Sequence, residues 1–373
     1  MTAYARPLDA ASLAQNFAVF AAAECEAEPL YATLSRGIAA TPELLALVLD
    51  APYRQRRPVL LFACVHDLLL SGVTHPLAAF YPSVAGTGAR TDVAAAPAAF
   101  ADFCRRERDA LAALLATRTT QTNEIGRGAV LRAILCMHPV RRELALIDVG
   151  CSAGLNLLVD RYRFVYRCGE DAFVTGPEST VVIPANVDKP LPHPVDAPLP
   201  PLGARVGVDL APLDVRDARD ARWLRACVWP SDLARRDRLA NAIAIARTTR
   251  LDLRAGDASA LLPSVLASLD PALAPVVFHS WVVTYFDHAS RARFANAMRE
   301  MVVERDGLWI SAEAAGVVPG LPPDLECADD GREATLWHCT RRGSDGRAET
   351  TLVARSHPHG RWIEWTDQAW IAR

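Results

Sequence analysis

Over the first 120 positions, apolar residues return at about every third or fourth place. Asp9 to Ala27, Arg57 to Leu70 and Pro97 to Thr117 carry the spacing of amphipathic helices. Thr41-Pro42-Glu43 sets a capping residue, a first-turn proline and an acid in the order of a helix start, and Ser71-Gly72 is a natural stop. From Leu144 the pattern changes to short apolar runs: Leu144 to Val149, Arg205 to Asp209, Leu251 to Ala255, Val276 to Ser280 and Leu308 to Glu313. The first of them, ending at a glycine-rich loop, reads as a buried parallel strand. The gaps between them hold helical patterns at Ala218 to Thr248, Ala258 to Leu269 and Ser290 to Glu304.

Strands alternating with helices predict an α/β fold with a mostly parallel, Rossmann-like sheet. Thr335 to Arg341 and Thr350 to Arg355, joined by Gly343-Ser344-Asp345-Gly346, predict an antiparallel C-terminal hairpin closing that sheet. The expected division is a helical N-terminal cap region over 1–120 and an α/β domain over 121–373, with an insertion at about 162–203. Within the insertion, Arg163 to Arg167 and Thr180 to Pro184 read as a small hairpin. Pro190, Pro192, Pro194, Pro198, Pro200 and Pro201 read as an extended connector.

Composition narrows the class. The chain has 373 residues, 51% of them apolar, and a formal net charge of -3, which leaves no general electrostatic footprint for nucleic acid. Arg54-Gln55-Arg56-Arg57 is a local basic cluster, while Arg105-Arg106 and Arg235-Arg236 are interleaved with acids and read as solvated helix faces. Nine scattered cysteines show no C-x-x-C pair and no metal-ligand spacing, so reduced thiols and no metal are expected. The N-terminus lacks a signal-peptide layout, and no apolar run is long enough to span a bilayer. The expectation is a soluble cytoplasmic protein acting on a small molecule.

Ile147-Asp148-Val149-Gly150-Cys151-Ser152-Ala153-Gly154-Leu155-Asn156 supports two chemistries. Gly150-x-Ser152-x-Gly154 fits a serine-hydrolase nucleophile elbow, yet the first credible strand leads directly into it and no oxyanion loop precedes it. As a ligand loop, its small residues let the backbone approach a bound molecule, and a helix N-terminus near Leu155 and Asn156 offers N–H groups to an anion. A dinucleotide loop would need glycine at Leu155, so NAD fits poorly.

The spacing Asp148-x-Gly150-x-Ser152-x-Gly154 resembles the first motif of class I S-adenosylmethionine-dependent methyltransferases, with serine in place of the middle glycine. The resemblance implies that fold, S-adenosylmethionine as cofactor, and Asp148, Gly150, Ser152, Gly154 and Asn156 as the loop that holds it. Asp209, ending the second strand, would accept the ribose hydroxyls, and Asp257, after the third, the adenine amino group. If Arg163 to Arg167 were the second strand, Glu170 or Asp171 would take the ribose role. Asn123, Glu124 and Arg127 read either as a lid over the cofactor or as a helix N-terminus with Asn123 as cap.

Gln121-Thr122-Asn123-Glu124-Ile125-Gly126-Arg127, Ser152-Ala153-Gly154-Leu155-Asn156-Leu157 and Asp160-Arg161-Tyr162-Arg163 carry a second resemblance. It continues through Asp209-Leu210-Ala211-Pro212-Leu213-Asp214, Trp229-Pro230, Phe278-His279-Ser280 and His357-Pro358-His359-Gly360. Together they resemble the mostly bacterial domain-of-unknown-function family 2332, which implies a methyltransferase-like fold and no set reaction.

Methyl transfer needs positioning, exclusion of water and, for some acceptors, a base. His279, at the end of the fourth strand, is the candidate base, with Tyr285 a turn further on; Glu313, ending the fifth strand, is a second candidate. A packed strand-end histidine is the equal alternative for His279, and a structural carboxylate for Glu313. His66 shares a helix face with Phe62 and Leu69 and reads as a packed histidine. His357 and His359 face the same question, as cleft or metal residues. The function expected is transfer of a methyl group to a small molecule; the alternatives are a non-catalytic adenosine-ligand binder and a hydrolase using Ser152.

Overall fold

The computed structural model describes residues 9–137, 142–189, 198–322 and 333–366. They fall into two compact units, one within Met1–Thr122 and Arg216–Ala240, the other within Asn123–Val215 and Asn241–Arg373.

The first unit is helical. Asp9 starts its first helix, Ala10–Ala23, with a reciprocal capping pair: the Ser12 N–H donates to Asp9 Oδ1 at 2.8 Å, and the Asp9 N–H donates to Ser12 Oγ. Pro29, Pro42 and Pro58 each open a helix at its first position, where a missing N–H costs nothing. Thr41 departs from its expected role: its hydroxyl donates backward to the Gly37 carbonyl at 2.8 Å and leaves the helix end uncapped.

The unit's core is built around Phe62, stacked on Tyr31 at 4.2 Å and flanked by Phe17, Phe20 and Phe100. One turn along the same helix, Pro58–Leu70, His66 is buried, as its apolar face predicts, with Nδ1 against the Ala226 carbonyl and Nε2 against Ser83 Oγ. The expected helix from Ala218 to Thr248 is two helices, Ala218–Ala226 and Leu233–Arg247, broken around Trp229-Pro230 because proline has no N–H to continue the ladder.

The second unit holds one sheet. Its strands are β1 Leu144–Val149, β2 Arg163–Cys168, β3 Asp171–Thr175, β4 Val182–Val187, β5 Leu202–Asp209, β6 Asp252–Ala255, β7 Ala274–Ser280, β8 Leu308–Glu313, β9 Thr335–Arg342, β10 Ala348–Ser356 and β11 Trp362–Trp365. Their order across the sheet is β3-β2-β4-β11-β10-β9-β8-β7-β1-β5-β6, with most neighbours parallel. The α/β expectation holds at that level. β1 and β8 are buried at every position, Asp148, Ser311 and Glu313 included. The helices Ala258–Ala267 and His288–Arg305 cover the face that carries Ile147, Val149, Val277 and Trp309.

Two connections differ from expectation. β2 and β4 pair in parallel rather than as a hairpin; the antiparallel partner of β2 is β3. The C-terminal hairpin β9–β10 forms but does not close the sheet, because β11 adds beside β10 and joins it to β4. The expected insertion thus supplies β2, β3 and β4, three of the sheet's eleven strands, at one edge. Of the proline connector, 190–197 lies outside the described residues. Among the described residues, no single helix is long and apolar enough to cross a membrane.

The burial of His66 has a measurable cost in acid. Desolvation lowers its pKa to about 4 from 6.5, so between those values the unfolded chain binds a proton that the folded chain refuses. The contribution is nil above pH 6.5 and grows as the pH falls toward 4, reaching about 3 kcal/mol of destabilisation. Denaturant titrations at pH 7 and pH 4 should show the native chain losing that much more stability than His66→Gln; parallel losses would place the acid sensitivity elsewhere.

Candidate functional site

The strand order turns at β1, which has β7 on one side and β5 on the other, and the crevice beyond the carboxyl ends of such strands is where α/β sheets bind ligands. β1 ends in a loop with three left-handed residues in five positions: Gly150 (φ 75°), Ser152 (φ 55°) and Gly154 (φ 71°). The loop is stitched to β5. The Gly150 N–H donates to the Val208 carbonyl at 2.7 Å, and the Ser152 N–H to Asp209 Oδ2 at 2.8 Å. Asp209 Oδ1 accepts from the Ala211 N–H at 2.9 Å, so this carboxylate fixes both the loop and its own turn.

Packing within the protein also requires these glycines to be small. A Cβ on Gly150 would lie 2.5 Å from the Val282 side chain, and one on Gly154 would lie 2.9 Å from Leu253. Protein side chains already fill those positions. Ser152 is buried, and its hydroxyl has no partner among the described residues. A nucleophilic serine needs a base in hydrogen-bond reach, and no histidine is hydrogen-bonded to this one.

Stretches far apart in sequence meet beside this loop. Asn123 Oδ1 accepts from the Leu155 N–H at 3.1 Å. That corrects the expected anion site: Leu155–Arg161 is a short 3₁₀ helix whose first amide is already taken. Glu124, rather than Asn123, caps the next turn, with Oε1 accepting from the Gly126 N–H at 2.9 Å. Arg127 Nε donates to the Pro358 carbonyl at 2.8 Å, and His359 Nδ1 lies 3.7 Å from Glu124 Oε2. The two turns touch backbone to backbone: a Cβ on Gly126 would sit 2.3 Å from the His359 carbonyl oxygen, and one on Gly360 2.2 Å from that of Gly126. His357 Nδ1 accepts from the His359 N–H within its own turn. Among the described residues no group of three or more His, Cys, Asp or Glu is placed to hold a metal ion.

Asp148 lies under this assembly, 2% exposed. Burial pushes its carboxyl well above the usual carboxylate range, the nearby Asp209 charge adds to that, and Arg127 opposes it. Asp148 Oδ2 and the Asn156 side-chain oxygen are buried without a hydrogen-bond partner among the described residues. Buried polar atoms left unpaired are rare enough to require a reason, and a missing ligand is one.

The residues expected on the acceptor side divide. His279 is 0% exposed, edge-on to Phe294 at 5.3 Å and beside Trp309, beneath the helix His288–Arg305. Its Nδ1 donates to Glu313 Oε1 at 2.9 Å, and the same oxygen accepts the N–H groups of Val282 at 3.0 Å and Val283 at 3.1 Å. Both residues sit in a closed core rather than an open crevice. Glu313 thereby fixes the chain leaving β7, where Trp281 is left-handed (φ 55°) and Val282 packs on Gly150. Tyr285 stands apart, 53% exposed.

Asp257 is exposed and caps the helix Ala258–Ala267, accepting from the Ala260 N–H at 3.2 Å. Glu170 and Asp171 lie by β3 at the opposite edge of the sheet, whereas Asp209 ends β5, the strand beside β1. The contact of His357 to Gly360 with the Glu124 turn was not read from sequence; the glycine in each turn was its only trace.

A family profile described as an uncharacterized protein conserved in bacteria (DUF2332) matches residues 14–365. No curated protein matches the chain.

The interlocked turns predict a contrast between two glycines of similar backbone. Gly316 has φ 71° with nothing within 4 Å of its missing Cβ, whereas Gly360 has φ 72° and meets backbone. Gly316→Ala should cost about 1 kcal/mol, for the left-handed conformation alone. Gly360→Ala adds a backbone clash and should cost about 3 kcal/mol or more. Equal shifts in thermal unfolding would mean that the two turns separate freely.

Proposed function

The chain belongs to the bacterial family of uncharacterized proteins DUF2332, and from that premise we propose that its sheet unit binds S-adenosylmethionine and transfers a methyl group to a small molecule. The observation that carries the reading is the set of buried, unpartnered polar atoms at the switch-point loop: Asp148 Oδ2, Ser152 Oγ and the Asn156 side-chain oxygen. The strand order β6-β5-β1-β7-β8, with a ligand loop after β1 and an acid after β5, supports a methyltransferase-type sheet.

The donor set suits such a ligand. The three unpartnered atoms can accept from an ammonium group. Each Asp209 oxygen takes one backbone N–H, and a carboxylate has about four acceptor sites, so capacity remains for two ribose hydroxyls. Asp257, exposed beyond β6, keeps similar capacity for an amino group. The bound group supplies an electrophilic methyl on a sulfonium. The chain's own contribution is positioning: Asp209 locks the loop, Arg127 ties the Pro358 turn beside it, and Glu313 holds Val282 against Gly150.

One observation favours a second reading, ligand binding without turnover. His279 is sealed in the core and bound to Glu313, so it offers no accessible base to an acceptor. Formation of S-adenosylhomocysteine with a pool of small-molecule acceptors separates the two.

The first test is thermal unfolding with S-adenosylmethionine and with S-adenosylhomocysteine. At about a hundred times its dissociation constant, ligand should stabilise the fold by roughly 2.7 kcal/mol. Asp209→Ala should abolish the shift, while Glu170→Ala should keep it. The absence of any shift in native protein freed of co-purified ligand would sink both readings.

A further inference from the structure

The helical unit contains a serine–histidine pair that the methyl-transfer reading does not use. Ser83 lies in the short helix Pro82–Ala85 and is partly exposed, next to the exposed Val84. Its hydroxyl is 2.7 Å from His66 Nε2, and His66 Nδ1 is 3.0 Å from the Ala226 carbonyl oxygen. A carbonyl can only accept, so Nδ1 carries the ring proton and Nε2 presents a lone pair to the Ser83 hydroxyl. Nucleophile, base and the group that orients the base are thus in sequence, with a backbone carbonyl where an acid often stands.

We propose that Ser83 is a nucleophile and His66 its general base, forming a second reactive site that takes small carboxylic esters. Ser83 Oγ attacks the ester carbonyl carbon as its proton passes to His66 Nε2. The bond to the leaving alkoxide then breaks, and the alkoxide departs with that proton, leaving an acylated Ser83. Water, giving a proton to the same nitrogen, releases the acid and restores the hydroxyl. Burial, which lowers the ring's pKa to about 4, leaves the Nε2 lone pair free at neutral pH and makes proton transfer to it less favourable, so the expected turnover is slow. Arg236 Nη1 lies 3.5 Å from the Ser83 carbonyl oxygen, while its Nε and Nη2 bind Asp237 Oδ1.

The competing account is that Ser83 does no more than satisfy a buried imidazole. The two differ in reactivity. The full chain is incubated with a fluorophosphonate, which a nucleophilic serine displaces at phosphorus with loss of fluoride, and the adduct is located by peptide mass spectrometry. The proposal expects an adduct on Ser83 that is absent in Ser83→Ala and kept in Ser152→Ala. It also expects hydrolysis of p-nitrophenyl acetate at least about tenfold faster than by Ser83→Ala. His66→Gln, shown by circular dichroism to be folded, should slow modification of Ser83 by about 100-fold or more. No adduct on Ser83 at saturating probe, ester hydrolysis unchanged in Ser83→Ala, or an adduct on Ser152 instead would each overturn it. Should His66→Gln not fold, the two Ser83→Ala measurements decide alone.

Discussion

A strand buried on both faces has to hand its chain to the crevice at its end without leaving polar backbone behind, and β1 meets that constraint with a left-handed turn. Gly150, Ser152 and Gly154 reverse the chain tightly enough for the Gly150 and Ser152 amides to be taken by β5, through the Val208 carbonyl and the Asp209 carboxylate. The rest of the site leans on this turn. Val282 fills the space over Gly150, Leu253 the space over Gly154, and Asn123 reaches in to accept the Leu155 amide. Glu313 matters here at one remove, since it holds Val282 by its backbone.

Parallel pairing sets Val149 beside His279 and Asp148 beside Phe278. Successive side chains point to opposite faces, so Asp148 and His279 lie on opposite sides of the sheet. His279 shares its side with Val277 and Trp309 under the helix His288–Arg305. An acid in one layer and a base in the other cannot act on one small molecule across a closed sheet. The unpartnered polar atoms of Asp148, Ser152 and Asn156 carry the ligand argument without His279.

Much of the α/β half was legible because its cause is local. Five short apolar runs became β1, β5, β6, β7 and β8, and the helices between β6 and β8 start within two residues of their predicted positions. What was not legible depended on partners distant in sequence. β2 and β4 are short runs that fit a hairpin as well as a parallel pair, and only β11 arriving between β4 and β10 sets their place. His279 at a strand end looked available because the sequence does not say which face a helix will cover. The loop glycines were assigned to a ligand, yet their nearest neighbours are Val282 and Leu253.

The bond from Arg127 to the Pro358 carbonyl joins positions 231 residues apart, and Gly126 and Gly360 touch across the same gap. During synthesis at about 5–20 residues per second, the Glu124 turn waits roughly ten to fifty seconds on the ribosome before its partner exists. Until then, the backbone it will meet is replaced by solvent or by a chaperone. The strands β1, β5 and β7 are synthesised well before that, whereas β11, which joins β10 to β4, comes last of all. A chain that stops before residue 358 therefore has every residue of β1, β5 and β7 but no turn for Gly126 to close against.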